Sequence, residues 1–370
     1  MSASSMVSVF PCRTCAMLEV RASKRSANPR LGVGDPVSPL RPGIWESRRC
    51  RGELPSSAIS VVTAQRVDPQ IVRGQSPLRS LSMSLVDGPI LAVVVDSDRL
   101  AAGIVDRDGE VLIRDRVGTP NRDVWRSLER LVRRVMAARP GEIPTPKTVG
   151  VSSTGFVDLR AGSVTPDTMT AWSSFPLRQH LESLTGIPVA LDTAAGASAE
   201  AERWVGEAID IPSYLTLMLD HTVESACIVN GARVRGAHGN GGSLAHLAVE
   251  PEGLSCGCGA TGCLSAYASA SAIEAEMNRP LRRATTSIID RTGIMVGRAV
   301  ASAAAVFDLR TVFISGRVVD TFGDTMLDSL RREVSARSRL ENLADLRVLE
   351  PTGLIQPLVG AAAVARLIEN

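Results

Sequence analysis

The 370-residue chain carries a formal charge of only +2, and its aromatic content is 3% against 44% hydrophobic residues. Near-neutrality excludes a strong overall pull toward nucleic acid or acidic membrane, and no apolar run approaches the roughly 18 residues of a bilayer-spanning helix. The core has to be aliphatic, and the length suits two compact domains plus a tail.

Residues 1–85 are rich in Ser, Arg, Pro and Gly and show no sustained periodicity, which predicts a poorly ordered N-terminal region. Basic residues gather there, from Arg21, Lys24 and Arg25 to Arg73 and Arg79. The first residues lack a basic segment followed by an apolar stretch and a cleavage site, so secretion is not expected and the cytoplasm is the expected location. Cys12 and Cys15 form a C-x-x-C with no second pair or nearby His, and we read them, with Cys50, as bystanders.

From Pro89 the texture changes. Ile90–Val95 and Leu100–Val105 read as strands, and Arg107-Asp-Gly109 turns the chain into a third at Val111-Leu-Ile113. Val124, Leu128, Leu131, Val132 and Val135 recur at helical spacing over Asp123–Met136. Thr148–Val151 is the next strand, Leu177–Leu184 a helix, and Ile187–Leu191 a strand ending at Asp192, before the Ala-rich helix Ala194–Val205. The second half repeats the plan: strands Tyr214–Leu219 and Ala226–Val229, an Asn230-Gly231 turn, and a return through Arg233-Val-Arg235. Helices follow near Leu264–Met277 and at Ile289–Phe307 and Thr321–Ala336, interleaved with strands Leu309–Ile314 and Leu346–Leu349, and Gln356–Ile368 closes the chain. Two strand–hairpin–helix units in tandem predict an α/β protein of two lobes with a cleft between them.

One motif carries specific chemistry. Cys256-Gly-Cys258-Gly-Ala-Thr-Gly-Cys263 crowds three thiols into a loop that its glycines let fold around one ion, and His246 lies just upstream. Cys₃His is a common structural zinc set, so His246, Cys256, Cys258 and Cys263 are predicted to hold one structural Zn²⁺. Free thiols this close would otherwise oxidise or pair.

A His followed by C-x-C-G-x-x-G-C after a second-half hairpin resembles the ROK family of repressors, uncharacterised frames and sugar kinases. The resemblance runs from about Ile90 to the end and includes Val149-Gly-Val-Ser-Ser-Thr-Gly155, Gly186-Ile-Pro-Val-Ala-Leu-Asp192 and Gly360-Ala-Ala-Ala-Val-Ala365. It implies an actin-like (ribonuclease-H-like) two-lobed ATPase fold. The first lobe would span 89–205 and the second, with the zinc loop, 206–355, while 356–370 would form a C-terminal helix returning to the first lobe. In the kinases of the family it implies ATP-dependent phosphorylation of a hexose.

The kinase elements are altered here. The D-x-G-G-T phosphate loop of the family falls on Val94, Val95, Asp96, Ser97 and Asp98, and the second glycine-rich loop falls on Leu219–Cys227, which has no glycine and contains Asp220, His221 and Glu224. Phosphoryl transfer rests on positioning and charge neutralisation, and carboxylates in place of open backbone oppose both. The family's sugar-binding Asn-Asp pair becomes Leu191-Asp192, leaving Asp192 as a vestigial base, although Asp at this place also suits an N-cap for the following helix. Two further sugar-contacting glutamates of the family become Ser243 and Ser265.

We therefore read the chain first as a regulator-type ROK protein, a sugar-sensing module without kinase activity. Its partners would be a sugar or sugar phosphate and DNA through the N-terminal region, where Pro55–Ser60 is similar to a recognition-helix start and Val72–Pro77 to a wing. A homodimer is usual in the family, and no membrane partner is expected. The alternatives are an ATP-dependent, glucokinase-like sugar kinase and a decayed, non-catalytic binding protein.

Overall fold

The computed structural model describes residues 88–169, 171–352 and 356–368. The expectations for residues 1–85 lie outside the described residues. Strands β1 (Ile90–Val95), β2 (Arg99–Val105), β3 (Val111–Gly118), β4 (Val149–Ser153) and β7 (Val189–Thr193) form one sheet in the order β3-β2-β1-β4-β7. β1 pairs antiparallel with β2 and parallel with β4. Every residue of β1 is buried, as a central strand covered on both faces requires.

A second sheet repeats the pattern. It contains β8 (Tyr214–Leu219), β9 (Val223–Val229), β10 (Ala232–Arg233), β11 (Thr311–Ser315) and β12 (Arg347–Leu349), in the order β10-β9-β8-β11-β12. β8 pairs antiparallel with β9 and parallel with β11. A small hairpin of β5 (Phe156–Asp158) and β6 (Ser163–Thr165) was invisible to pattern reading, because three-residue strands carry too few positions to show a period.

Helices α1 (Val124–Ala137) and α2 (Leu177–Thr185) cover the first sheet with the apolar positions that their spacing marks. Around them an aromatic group assembles: Trp172 stacks on Phe175 with centroids 4.2 Å apart, and Trp125 meets His180 edge-on at 4.9 Å. In the second half, one expected helical stretch divides into α4 (Ser265–Ala268) and α5 (Ala270–Met277) at Ser269, whose hydroxyl caps α5 through the Ala272 N–H. α6 (Thr286–Phe307) packs along α7 (Arg317–Arg337), and Gly293 and Gly297 of α6 let the α7 backbone approach. Two helical segments of α7 meet at Gly323, where φ is +53°.

Two helices of small residues join the halves. α3 (Ala194–Val205) sets Ala195 and Ala199 against Tyr214, Ala226 and Ile228 of the second sheet. Its carbonyls at Ala195 and Ala199 accept hydrogen bonds from Thr216 Oγ1 (3.0 Å) and the Tyr214 hydroxyl (2.7 Å). α8 (Pro357–Ala365) begins with a proline, well placed at a first helical turn, and lays Leu358, Ala361, Ala362 and Ala365 on Ile90, Ala92 and Val94 of the first sheet. The fit is tightest at Gly150 of β4, where a Cβ would run into the Ala361 carbonyl. Gly150→Ala should therefore destabilise the protein by about 2 kcal/mol or more through backbone displacement. A lowered denaturant midpoint with unchanged slope would report it, and a wild-type midpoint would refute this packing.

Candidate metal cluster and interlobe cleft

The loop that holds the cysteines is braced before any ion is considered. Cys256 N–H donates to the Ala260 carbonyl at 2.8 Å, and Gly262 N–H donates to the Leu254 carbonyl at 2.8 Å. Gly262 has φ +74°, and a Cβ there would strike the Glu250 carbonyl, so this turn requires glycine. From behind, the Tyr267 hydroxyl accepts the Leu254 N–H at 2.7 Å, and Arg298 pairs with Glu250 while donating to the Val249 carbonyl at 3.0 Å.

This bracing brings His246, Cys256, Cys258 and Cys263 together, with their ligand atoms within 4.8 Å of one another. His246 Nδ1 lies 3.7 Å from Cys256 Sγ, and Cys258 Sγ lies 3.8 Å from Cys263 Sγ. A tetrahedron built on bonds of roughly 2.3 Å has edges of about 3.8 Å, so the donors are spaced as a shared ion needs. Burial and the neighbouring thiols push Cys263 up to about 12, a bias that a cation held here would reverse by deprotonating the sulfurs. This group can hold a metal.

Asp192 is the penultimate residue of β7 and is 1% exposed. The capping expectation for it is corrected by the structure: the N-cap of α3 is Thr193, whose Oγ1 accepts the Gly196 N–H at 3.0 Å. Asp192 instead faces two guanidinium groups from the second half, Arg233 at 3.5 Å and Arg235 at 3.7 Å, and Arg233 is itself buried. Gly196 makes room for this pair, since a Cβ there would collide with both Arg233 and Asp192. Sequence reasoning missed these arginines; an expected strand through Arg233–Arg235 hid the fact that β10 stops at Arg233 and frees Arg235.

Between the sheets lies a cavity of about 380 Å³. The β1–β2 turn contributes Asp96 and Ser97, the β8–β9 turn contributes Asp220, His221 and Thr222, and Glu224 enters from β9. Gly155 N–H donates to Glu224 Oε1 at 3.2 Å, the Ala195 N–H also acts on this carboxyl, and Oε2 is shielded from solvent. Burial pushes Glu224 up to about 8, helped by the negative charges of Asp167 and Asp96 and opposed by backbone N–H groups. Burial raises Asp96 as well, against its hydrogen bond from Ser97 and with Asp220 and Asp98 adding to the rise. Asp320 and Glu350, which sequence reading passed over, line the same cavity from α7 and from beyond β12.

A second cavity, about 660 Å³, adjoins the metal cluster. Ser265 lines it together with Asp167, Thr222, Ser269 and Ser271, so hydroxyls now occupy a wall where the family resemblance implies a glutamate. Ser243 is exposed and Leu191 is packed in the first core.

The sequence matches the ROK family over residues 90–367. The chain belongs to the ROK family. A glucokinase of Streptomyces coelicolor is 27% identical over 316 residues, covering 75% of this chain and 98% of the relative. Among solved structures, a ROK hexokinase from Thermus thermophilus superposes with a TM-score of 0.66 at 27% identity, covering 75% of this chain and 98% of that one. A ROK family transcriptional regulator, a homologue of the E. coli MLC protein, superposes equally well (TM-score 0.66) at 21% identity, covering 75% and 77%. The actin-like fold is thereby established for the described residues, and one architecture is seen to serve both branches. Among those residues no helix is long and apolar enough to cross a membrane.

Two measurements probe this geometry. Asp192→Asn should destabilise the protein by about 3 kcal/mol, since it strands the buried Arg233 charge while leaving the Thr193 cap intact; a substitution costing less than about 1 kcal/mol would deny the pair any structural role. For Glu224, the folded chain keeps its proton between the ordinary carboxylate range and pH 8, whereas the unfolded chain has lost it. Stability contributed by this site therefore falls as pH rises through that window. Glu224→Gln should flatten the fall and melt at least about 2 °C above the wild type at pH 8.5. Parallel melting curves for the two proteins across pH 5–8.5 would contradict the assignment.

Proposed function

We propose that this protein is a regulator-type ROK module that senses a sugar or sugar phosphate and does not phosphorylate it. The observation that carries this reading is the cleft: by the family resemblance Asp96 and Glu224 fall where phosphate-cradling glycines are expected, and among the described residues no lysine or arginine lines the cavity to replace the lost N–H groups. Several carboxylates beside a polyphosphate cost on the order of several kcal/mol once partly desolvated. Asp192 is further compromised as a base, since two arginines compete for its carboxylate. The ligand would lie in the hydroxyl-lined cavity beside the metal cluster, with Ser265, Ser269, Ser271 and Asp167 offering hydrogen bonds to sugar hydroxyls.

DNA contact would fall to the basic N-terminal region, and a homodimer, usual in the family, would present two copies of it. The competing reading, an ATP-dependent hexose kinase with Asp192 as base, draws support from the full-length match to a glucokinase. A coupled assay with ATP and a panel of hexoses and amino sugars decides between them. We expect background rates; turnover abolished by Asp192→Asn would establish the kinase.

The metal we propose is Zn²⁺, one per chain and structural, because three thiolates and an imidazole leave no open coordination position for catalysis. Elemental analysis of protein purified without added metal should find about one equivalent of zinc. Cys258→Ser should lose the metal and melt markedly lower, and retention of both zinc and stability would rule out this ligand set.

A further inference from the structure

The two halves also meet along a seam apart from the α3 and α8 packing. The β5–β6 hairpin belongs to the first half, where Val157 and Val164 are buried in the core. On the β6 side, the N–H and carbonyl of Val164 pair with Phe175. On the β5 side, no strand lies beside Val157. Its backbone is met there by a side chain of the second half: Val157 N–H donates to Asn240 Oδ1 at 3.4 Å, and Asn240 Nδ2 donates to the Val157 carbonyl at 2.9 Å. One amide group thus covers this edge as a further strand would. The same Nδ2 donates to the His238 carbonyl at 3.2 Å, which fixes the amide plane. Next to it the Leu159 side chain lies on Gly239, where φ is +93° and a Cβ would strike Leu159. The bond from Gly155 N–H to Glu224 lies along the same seam.

What the seam positions is Asp167. Among the described residues, the cavity of about 660 Å³ beside the metal cluster is lined by the second half alone except for Asp167. Asp167 follows β6 by two residues. Gly155 lies so close beneath this stretch that a Cβ there would strike the Thr165 carbonyl and Pro166 Cα. The carboxylate therefore travels with the hairpin and faces the cavity only while the hairpin rests on the second half. Asn240 does not line the cavity.

We propose that Asn240 is a positioning residue, an interlobe clasp that holds the β5–β6 hairpin against the second half and so sets Asp167 over the ligand cavity. The proposal rests on the reading that a sugar occupies this cavity. A sugar whose hydroxyls bridge Asp167 and the serines of the facing wall binds the clasped arrangement better than the open one. Clasp and ligand then favour each other, although they do not touch. Among the described residues no lysine or arginine lines the cavity, so neutral sugars are the fitting probes.

The test uses the full chain in two arms. Without ligand, hydrogen exchange at the Val157 amide should quicken at least about threefold in Asn240→Ala. Asn240→Asp, which keeps the acceptor and loses the donor, should quicken it less. Exchange as slow in both variants as in the wild type would overturn the clasp, whatever the protein binds. In the second arm, glucose, mannose, N-acetylglucosamine and N-acetylmannosamine are titrated by calorimetry. At least one should bind, with a Kd about fivefold higher in Asn240→Ala. In an Asp167→Ala background the same substitution should change Kd by less than about twofold, because a clasp that acts by placing Asp167 has nothing left to place. An undiminished effect in that background would reduce Asn240 to general packing and overturn the assignment. Quicker exchange with no sugar bound by the wild type would uphold the clasp and sink the reading of this cavity as a sugar site.

Discussion

The structure depends on how closely two helices of alanine and glycine can approach. α3 presses one face on β8 and β9 and another on α8, and a Cβ placed at Gly360 would stand 3.2 Å from the Ala197 backbone. α8 in turn lies on β1 and β4 at the distance that Gly150 permits. Larger side chains at any of these positions would part the sheets, and close packing transmits such changes because interiors have little free volume. The cleft is a direct product of this contact, since Ala194, Ala197, Pro357 and Gly360 line it at the helix ends. Small residues set the geometry, and the turns at its mouth set the chemistry.

That division separates what holds the architecture together from what the cleft presents to a ligand. The turns after β1 and β8 add no side chain to either core, so Asp96 and Asp220 stand there without disturbing the packing. Glu224 differs because it is drawn inward, and its burial is tolerated by retaining a proton that a solvated carboxylate would release. The metal cluster sits at the opposite extreme: its loop is wired through Tyr267, Glu250 and Arg298 into α6 and its neighbours, so it has a structural reason to survive whatever happens in the cleft.

Much of this was legible in the sequence. The strands Ile90–Val95 and Tyr214–Leu219 and the helix Ala194–Val205 announce themselves by composition and period, and the Cys-x-Cys loop by spacing alone. The losses were of two kinds. Short elements such as β5 and β6 fall below the length at which a period shows, and the end of β10 was placed two residues too late. Charge partners set by tertiary folding were hidden too: nothing local ties Asp192 to Arg233, forty-one positions away, and Asp192 suits a cap no better than Thr193, which sits beside it with an equally suitable oxygen. Asp320 and Glu350 join the cleft only once β11 lies beside β8 and β12 beside β11, pairings that no motif records.

The distribution of aromatic side chains has a practical consequence. Of the four tryptophans, Trp125 and Trp172 belong to the cluster over the first sheet, Trp204 ends α3 beneath the Arg366 guanidinium at 4.6 Å, and Trp45 precedes the described residues. From Gly206 to the C-terminus there is none. Tryptophan emission is therefore insensitive to the second half, whose unfolding would register in far-ultraviolet dichroism while the fluorescence signal stayed close to native. Spectroscopists would see two transitions with one probe pair and a single transition with another, a divergence that marks unfolding by halves rather than all at once.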